Sequence, residues 1–276
     1  MGVLLALAAA LGYGLSDFIG GVAARRTSAW PVAFVCAIGA FVCSFLIALM
    51  TSGDATGADL AWGALAGVGS GLGGAFLYRG MAAGRMGVVA PVSAVGAAIL
   101  PVVVGVAAGE RPEVLVWLGI AAAVPGIWLV SREPGGDSSL AAGLVDGVLA
   151  GLGFGLLFAA IGQVPEGAGY WPLVLAQVAG LLAVVLTATL LKVRWRPTAR
   201  SEVTGGLLAG ALASAAALAF LLATQSGLLT VAAVLTSLYP AFTILLAATV
   251  LREPIHRAQA LGLAFCGLCV ALVAAG

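Results

Sequence analysis

The sequence predicts an all-α polytopic membrane protein of ten transmembrane helices, arranged as two inverted five-helix repeats. Three observations carry that prediction. Hydrophobic residues fill 62% of the 276 positions and charged residues only 8%, whereas a soluble domain carries about 25% charge. So much apolar surface requires lipid as its solvent, in keeping with a mean hydropathy of +1.17. The apolar residues divide into ten stretches of roughly spanning length, and landmarks of the first five recur in order in the last five.

The spans run over 3–24, 30–50, 60–80, 86–108, 114–131, 141–162, 171–191, 203–224, 229–251 and 258–275. Each must be helical, because unpaired backbone groups are intolerable in hydrocarbon and the stretches lack the alternation of barrel strands. The first begins MGVLLALAAALGYG, has no basic n-region and stays apolar past any plausible cleavage point, which fits a spanning helix and not a signal peptide. Pro31 and Pro172 stand in the first turns of the second and seventh spans, where a missing N–H costs nothing. Beside them, Trp30 and Trp171 read as interfacial anchors.

Small residues form ridges: Gly12, Ser16 and Gly20 on the first span, Gly63, Gly67 and Gly71 on the third, and Gly143, Gly147, Gly151 and Gly155 on the sixth. Such ridges let helix backbones approach closely in lipid. Static packing and a sliding interface both fit them. Pro91, Pro101, Pro125 and Pro240 fall within the fourth, fifth and ninth spans, where each removes a backbone hydrogen bond and can bend the axis. Pro91 and Pro240 are the kinks of interest, since Ser93 and Thr236-Ser237 set hydroxyls beside them. The short connections predict that sequential helices are neighbours.

Trp30-Pro31 answers to Trp171-Pro172, and Gly12 and Gly14 to Gly153 and Gly155, at an offset of 141; Gly84, Glu110 and Gly119 answer to Gly227, Glu253 and Gly262 at 143. Two modules follow, 1–132 and 141–276. Five crossings per module insert the second in the opposite sense, an arrangement that supplies two related gates. Charge then orients the pair. Loops 1–2, 3–4, 5–6, 7–8 and 9–10 hold 11 of the 12 basic residues, while the other face has Arg111 with Asp54, Asp59, Glu110, Glu113 and Glu166. The positive-inside rule places both termini outside the cytoplasm.

Few polar groups lie at membrane depth. Asp17 is the only ionisable residue inside the first span, and an intramembrane carboxylate usually faces a polar cavity or a cation. Three roles fit it: a proton or substrate site, an ion pair with Arg79 at the end of the third span, or simple interfacial exposure. Gln163, Gln177 and Gln225 can bind a polar substrate or bridge helices. Tyr78 and Tyr239 are candidates for a cavity lining, interfacial filler being the alternative. Asp146, a turn into the sixth span beside the basic face, is expected to be solvated, and Glu110 and Glu253 to cap or anchor equivalent loops.

Cys36, Cys43, Cys266 and Cys269 all fall in apolar stretches, and the CxxC of the last pair has no neighbouring base to activate it. No GxxxxGK[ST], HExxH, DxD or GxSxG is present and His256 is the single histidine, so neither an enzyme, a cofactor nor a metal site is indicated. A net charge of +1 without a basic tail gives no reason to expect nucleic acid. Partners are expected to be lipid, a small-molecule substrate and, where transport is uphill, protons.

Several strings carry a resemblance: GYGLSDFIGGVAARR from 12, GAFLYRGMAAGRMGVVAPVSAV from 74, GERP at 109–112 and LTSLYPAFTILLAATVLREP ending at 254. Together with the repeat they resemble the drug/metabolite transporter superfamily, in the group with two EamA domains, over essentially the whole chain. The resemblance implies a secondary transporter in the plasma membrane, often an exporter of amino-acid-like or nucleobase-like metabolites, with a cavity between the repeats. It also implies both termini in the cytoplasm, opposite to the charge bias. An uncoupled channel or a lipid scramblase is the alternative function. On the charge count, alkaline phosphatase fused after Gly276 should be active and green fluorescent protein there dark; the reverse result would restore the orientation the resemblance implies.

Overall fold

In hydrocarbon a backbone satisfies its own polar groups most simply as a helix, and this chain does so nearly throughout. The computed structural model describes residues 1–24, 27–82, 86–131, 140–252 and 254–276, with the side chains of 78, 80–82, 86–88, 91 and 140–142 also outside the description. Its helices are α1 (Gly2–Ala24), α2 (Ala29–Met50), α3 (Gly57–Ala82), α4 (Met86–Ala107), α5 (Val114–Ser131), α6 (Leu140–Ile161), α7 (Trp171–Leu190), α8 (Arg200–Gln225), α9 (Leu229–Thr236), α10 (Tyr239–Val250) and α11 (Arg257–Ala275), with a 3₁₀ turn at Glu166–Ala168. Among the described residues nine segments are long and apolar enough to cross a bilayer, Leu229–Val250 counting as one, and Val92–Ala107 is a shorter apolar tenth.

The ninth expected span is two helices. Pro240 has no N–H to give the Thr236 carbonyl, and around it the ladder tightens to three-residue spacing: Leu238 N donates to Leu235 O at 3.2 Å and Ala241 N to Leu238 O at 2.9 Å. α9 therefore ends at Thr236 and α10 restarts at Tyr239. By contrast, α4 runs unbroken through Pro91 and Pro101.

Sequential helices are not the principal neighbours, contrary to the expectation from short loops. The closest pairs are α3 with α6 and α7, α4 with α6, α1 with α8, α2 with α8, and α5 with α11. Every one of these joins the first half of the chain to the second. The reason lies in the small-residue faces, because helices in lipid associate where their backbones come closest. Gly63 and Gly67 sit on the carbonyls of Pro172 and Ala176, and Gly71 on Ala183, all of α7. A Cβ at Gly147 would stand 2.6 Å from Val92 Cβ, at Gly151 2.9 Å from Gly96 Cα, and at Gly155 2.6 Å from Leu100 Cβ, all of α4. Gly143 is buried on the same helix.

The counterparts do the same work in the other half. Gly206 and Gly210 lie on Val35 and Cys36 of α2; Gly12 lies on Ala216 of α8 as Gly153 lies on Gly73 of α3; Gly14 lies on Phe242 of α10 as Gly155 lies on Leu100. Gly119 and Gly262 both serve the α5–α11 seam. Helices therefore sort into two exchanged groups, α1–α2–α8–α9–α10 and α3–α4–α6–α7, joined by α2–α7 and α4–α9. Trp171 keeps an exposed edge, but Trp30 is buried beside Ala75 and Ala188 and is no lipid anchor, because α2 turns that face toward α3 and α7. Gly84 and Glu253 lie outside the described residues.

Gly151→Leu should break the α4–α6 seam and cost at least about 1–3 kcal/mol by overpacking, read as lost monodisperse protein on gel filtration after heating. Gly267→Ala, whose Cβ would meet nothing within 4 Å, should leave the melting temperature unchanged.

Candidate functional site

Two hydrogen bonds fix how α1 is turned. Ser16 Oγ donates to Ala209 O of α8 at 2.9 Å, and Thr243 Oγ1 of α10 donates to Gly14 O at 3.3 Å. α1 is thereby held between α8 and α10, with Leu4, Leu11 and Val22 exposed on its outer face. At about 100° per residue, Asp17 stands roughly 120–140° round the helix from those three, on the inward side with Tyr13 one turn before it. Asp17 is nevertheless exposed.

Beneath it lies a chain of aromatic rings drawn from both groups. Tyr13 packs edge-on against Tyr239 at 6.5 Å and against Phe158 of α6 at 5.9 Å, and Phe158 packs on Phe220 of α8 at 4.8 Å. Tyr239 is there because the break before Pro240 makes it the first residue of α10. Thr236 Oγ1, at the break, donates to Ala6 O at 3.3 Å, while the neighbouring Ser237 hydroxyl is buried without a partner among the described residues. Asp17 lies within electrostatic reach of both tyrosine hydroxyls and of the Cys36 thiol.

The repeat exposes an asymmetry in this arrangement. At the offset of 141, Asp17 answers to Phe158, which is 3% exposed. Ala160, Ile161 and Val164 continue the buried seam, whereas their counterparts Ile19, Gly20 and Ala23 are only partly covered. These described residues are therefore closely packed toward the face that carries the termini and less covered toward the basic face. Three links hold the shut end. The Glu110 carboxylate accepts from Leu229 N at 2.5 Å and Thr230 N at 2.9 Å, capping α9 where the helix dipole is positive. Gln225 Nε2 donates to Val164 O at 3.4 Å, and Asp54 N to Gly167 O at 3.0 Å.

At the basic face the expected Asp17–Arg79 pair is replaced by another. Arg79 Nε and Nη2 donate to Asp146 Oδ1 at 2.9 and 2.5 Å, with the guanidinium over the Phe76 ring at 4.8 Å. Asp146 is 2% exposed and not solvated, because the α3–α6 seam brings the last turn of one helix onto an early turn of the other. Asp17, on α1, belongs to the opposite group.

Of the residues singled out by sequence, Asp17 and Tyr239 come together, Arg79 lies at the basic end beside Asp146, and Gln225 bridges to the loop after α6. Gln163 is in that same loop, Gln177 is half-buried in α7, and the Tyr78 side chain is outside the described residues. Phe158 and Phe220 were not anticipated; the signal available for Phe158 was its place 141 residues after Asp17. The four cysteines are free, and no group of three His, Cys, Asp or Glu among the described residues could hold a metal.

Asp146→Asn should cost about 1–3 kcal/mol, less than a wholly buried pair since Arg79 is half in solvent. Arg79→Lys should rescue little, because one ammonium cannot reproduce donation from both Nε and Nη2. Thermal unfolding of each variant in detergent checks both.

Residues 140–275 match the EamA-like transporter family. No curated protein matches the chain. A crystal structure of another protein superposes with a TM-score of 0.70 at 16% identity, covering 98% of this chain and 95% of that one, a likeness of fold alone. Helices of spanning length and a match to the EamA-like transporter family over residues 140–275 make this an integral, multi-pass membrane protein that carries an EamA-like transporter domain, the domain of membrane transporters of the drug/metabolite type.

Proposed function

We propose that this protein is a secondary transporter that exports a small polar, amino-acid-like metabolite across the plasma membrane, the inner one where there are two, by proton-coupled alternating access. The single observation that carries the reading is Asp17. It is exposed on the inward-facing side of α1, one turn from Tyr13, whose ring packs on Tyr239, and in this reading the two helix groups part around it. The modules 1–132 and 141–276 are the inverted repeats, a reading supported by helix pairings that recur when each helix of one half is exchanged for its counterpart in the other.

Because the close seams run between halves, the bodies that move are the two exchanged groups, α1–α2–α8–α9–α10 against α3–α4–α6–α7, and not the halves of the sequence. The opening faces the basic side, which the charge bias assigns to the cytoplasm. An exporter loads from that side. A polar substrate there meets a carboxylate and the Tyr13 and Tyr239 hydroxyls above an aromatic floor, and a proton taken by Asp17 neutralises the one charge that closure would bury.

The test begins with a thermal-shift screen of amino acids and nucleobases and continues as counterflow of any hit in proteoliposomes. Saturable counterflow is expected, falling at least about tenfold in Asp17→Asn, with the remaining rate independent of pH. Unsaturable flux, or unchanged pH dependence in that variant, would point to a channel or to coupling elsewhere. Glu110→Ala should remove the cap on α9 and weaken the shut end by about 1–2 kcal/mol. A thiol reagent added from the terminal face should then label Ala232→Cys several-fold faster.

A further inference from the structure

The loop between α7 and α8 is built as a binding site, and we propose that it holds the headgroup of an anionic phospholipid. Residues 191–199 contain Lys192, Arg194, Arg196 and, just beyond, Arg200, all exposed, around a half-buried Trp195. The loop is braced from within. Arg194 Nη2 donates to Glu202 Oε1 at 2.7 Å and its Nη1 to Thr198 Oγ1 at 2.6 Å, while the fully buried Glu202 carboxylate also accepts from Thr198 N at 2.6 Å and Ala199 N at 3.0 Å. Trp195 is pinned by Phe34 of α2 at 4.9 Å, and the Arg196 guanidinium rests over its ring at 5.3 Å.

These residues line a shallow, open recess of about 360 Å³ formed by Thr189, Val193, Arg194, Trp195 and Arg196. Glu202 neutralises Arg194 alone. Lys192, Arg196 and Arg200 have no ion pair among the described residues and leave the rim positive, complementary to a phosphodiester. What selects a lipid over a free anion is the surface below. Leu182, Leu186 and Leu190 form an exposed stripe at four-residue spacing up the outer face of α7, 61–71% exposed, ending one turn from the recess. Acyl chains lying on that stripe bring a headgroup to the basic rim at the membrane interface. The Trp195 ring is at the same level, where indoles are favoured.

The site is separate from the Asp17 opening, so its test reads binding and not flux. Purified full-length protein is extracted from nanodiscs of equimolar phosphatidylglycerol and phosphatidylcholine, and retained lipid is counted by native mass spectrometry. Phosphatidylglycerol should be kept at least about tenfold over phosphatidylcholine, and Lys192→Gln and Arg196→Gln should each lower its retention about fivefold. Both residues are exposed, so folding is not at stake. Arg257→Gln, at the start of α11 on the same face, should leave retention unchanged. Equal retention of the two lipids, an equal loss in the Arg257 variant, or displacement of phosphatidylglycerol by millimolar inorganic phosphate would each overturn the proposal, the last by making this a site for free anions.

Discussion

Close approach of helix backbones, with no hydrophobic drive to enforce it, is the constraint on which this structure depends. Lipid is as apolar as leucine, so helices gain nothing by merely hiding side chains from it and must gain by van der Waals contact. The ridges at Gly63–Gly67–Gly71 and Gly147–Gly151–Gly155 meet this need on α7 and α4. Since the matching flat faces belong to the other half of the chain, the constraint also interleaves the halves. That interleaving brings the ends of α3 and α6 together and so buries Asp146 under Arg79.

The second determinant is a defect in the same scheme. A continuous ninth helix would put an ordinary turn at mid-membrane; Pro240 puts there a helix end, a helix start, a Ser237 hydroxyl with no partner among the described residues and Tyr239 facing Tyr13. Backbone of this kind is tolerated at membrane depth only inside protein or against a water-filled cavity. Its equivalent in α4 is unbroken, and the position equivalent to Asp17 is Phe158. The first half of the chain thus supplies a charge where the second supplies a ring, so that apolar side chains cover Phe158 while Asp17 stays exposed.

Much of this was legible in the residues. Hydropathy marked the spans to within a few positions, and the offsets of 141 and 143 located glycines that prove equivalent in packing. Glu110 was read as a loop anchor and is one, although what it anchors is α9, over a hundred residues away. Partnership between helices was not legible. Short loops argue for neighbours in sequence, and only the three-dimensional fit of small-residue faces reveals that α3 prefers α6 and α7. Asp17 with Arg79 was a reasonable pairing by depth and failed for that reason, since depth is one coordinate of three and the two residues lie in different groups. The break after Thr236 was half legible: Pro240 announced a bend, while a full interruption also required the tightened turns that end on Leu238 and Ala241.

The loops before α3 and α8 share one capping device and differ in charge. Asp59 and Glu202 stand 143 residues apart at the first turns of α3 and α8. Both are N-terminal caps: Asp59 Oδ2 accepts from Thr56 N at 2.8 Å and from its hydroxyl at 2.7 Å, as Glu202 accepts from Thr198 and Ala199. The cap is needed in each copy because each helix start has unsatisfied N–H groups. Around that shared device the two loops diverge in sign, acidic before α3 and basic before α8. With an unchanged fold, net loop charge is free to set orientation. Glu202, at 0% exposed against 7% for Asp59, has Arg194 beside it, so that one basic residue of the loop is committed to structure while Lys192, Arg196 and Arg200 stay exposed.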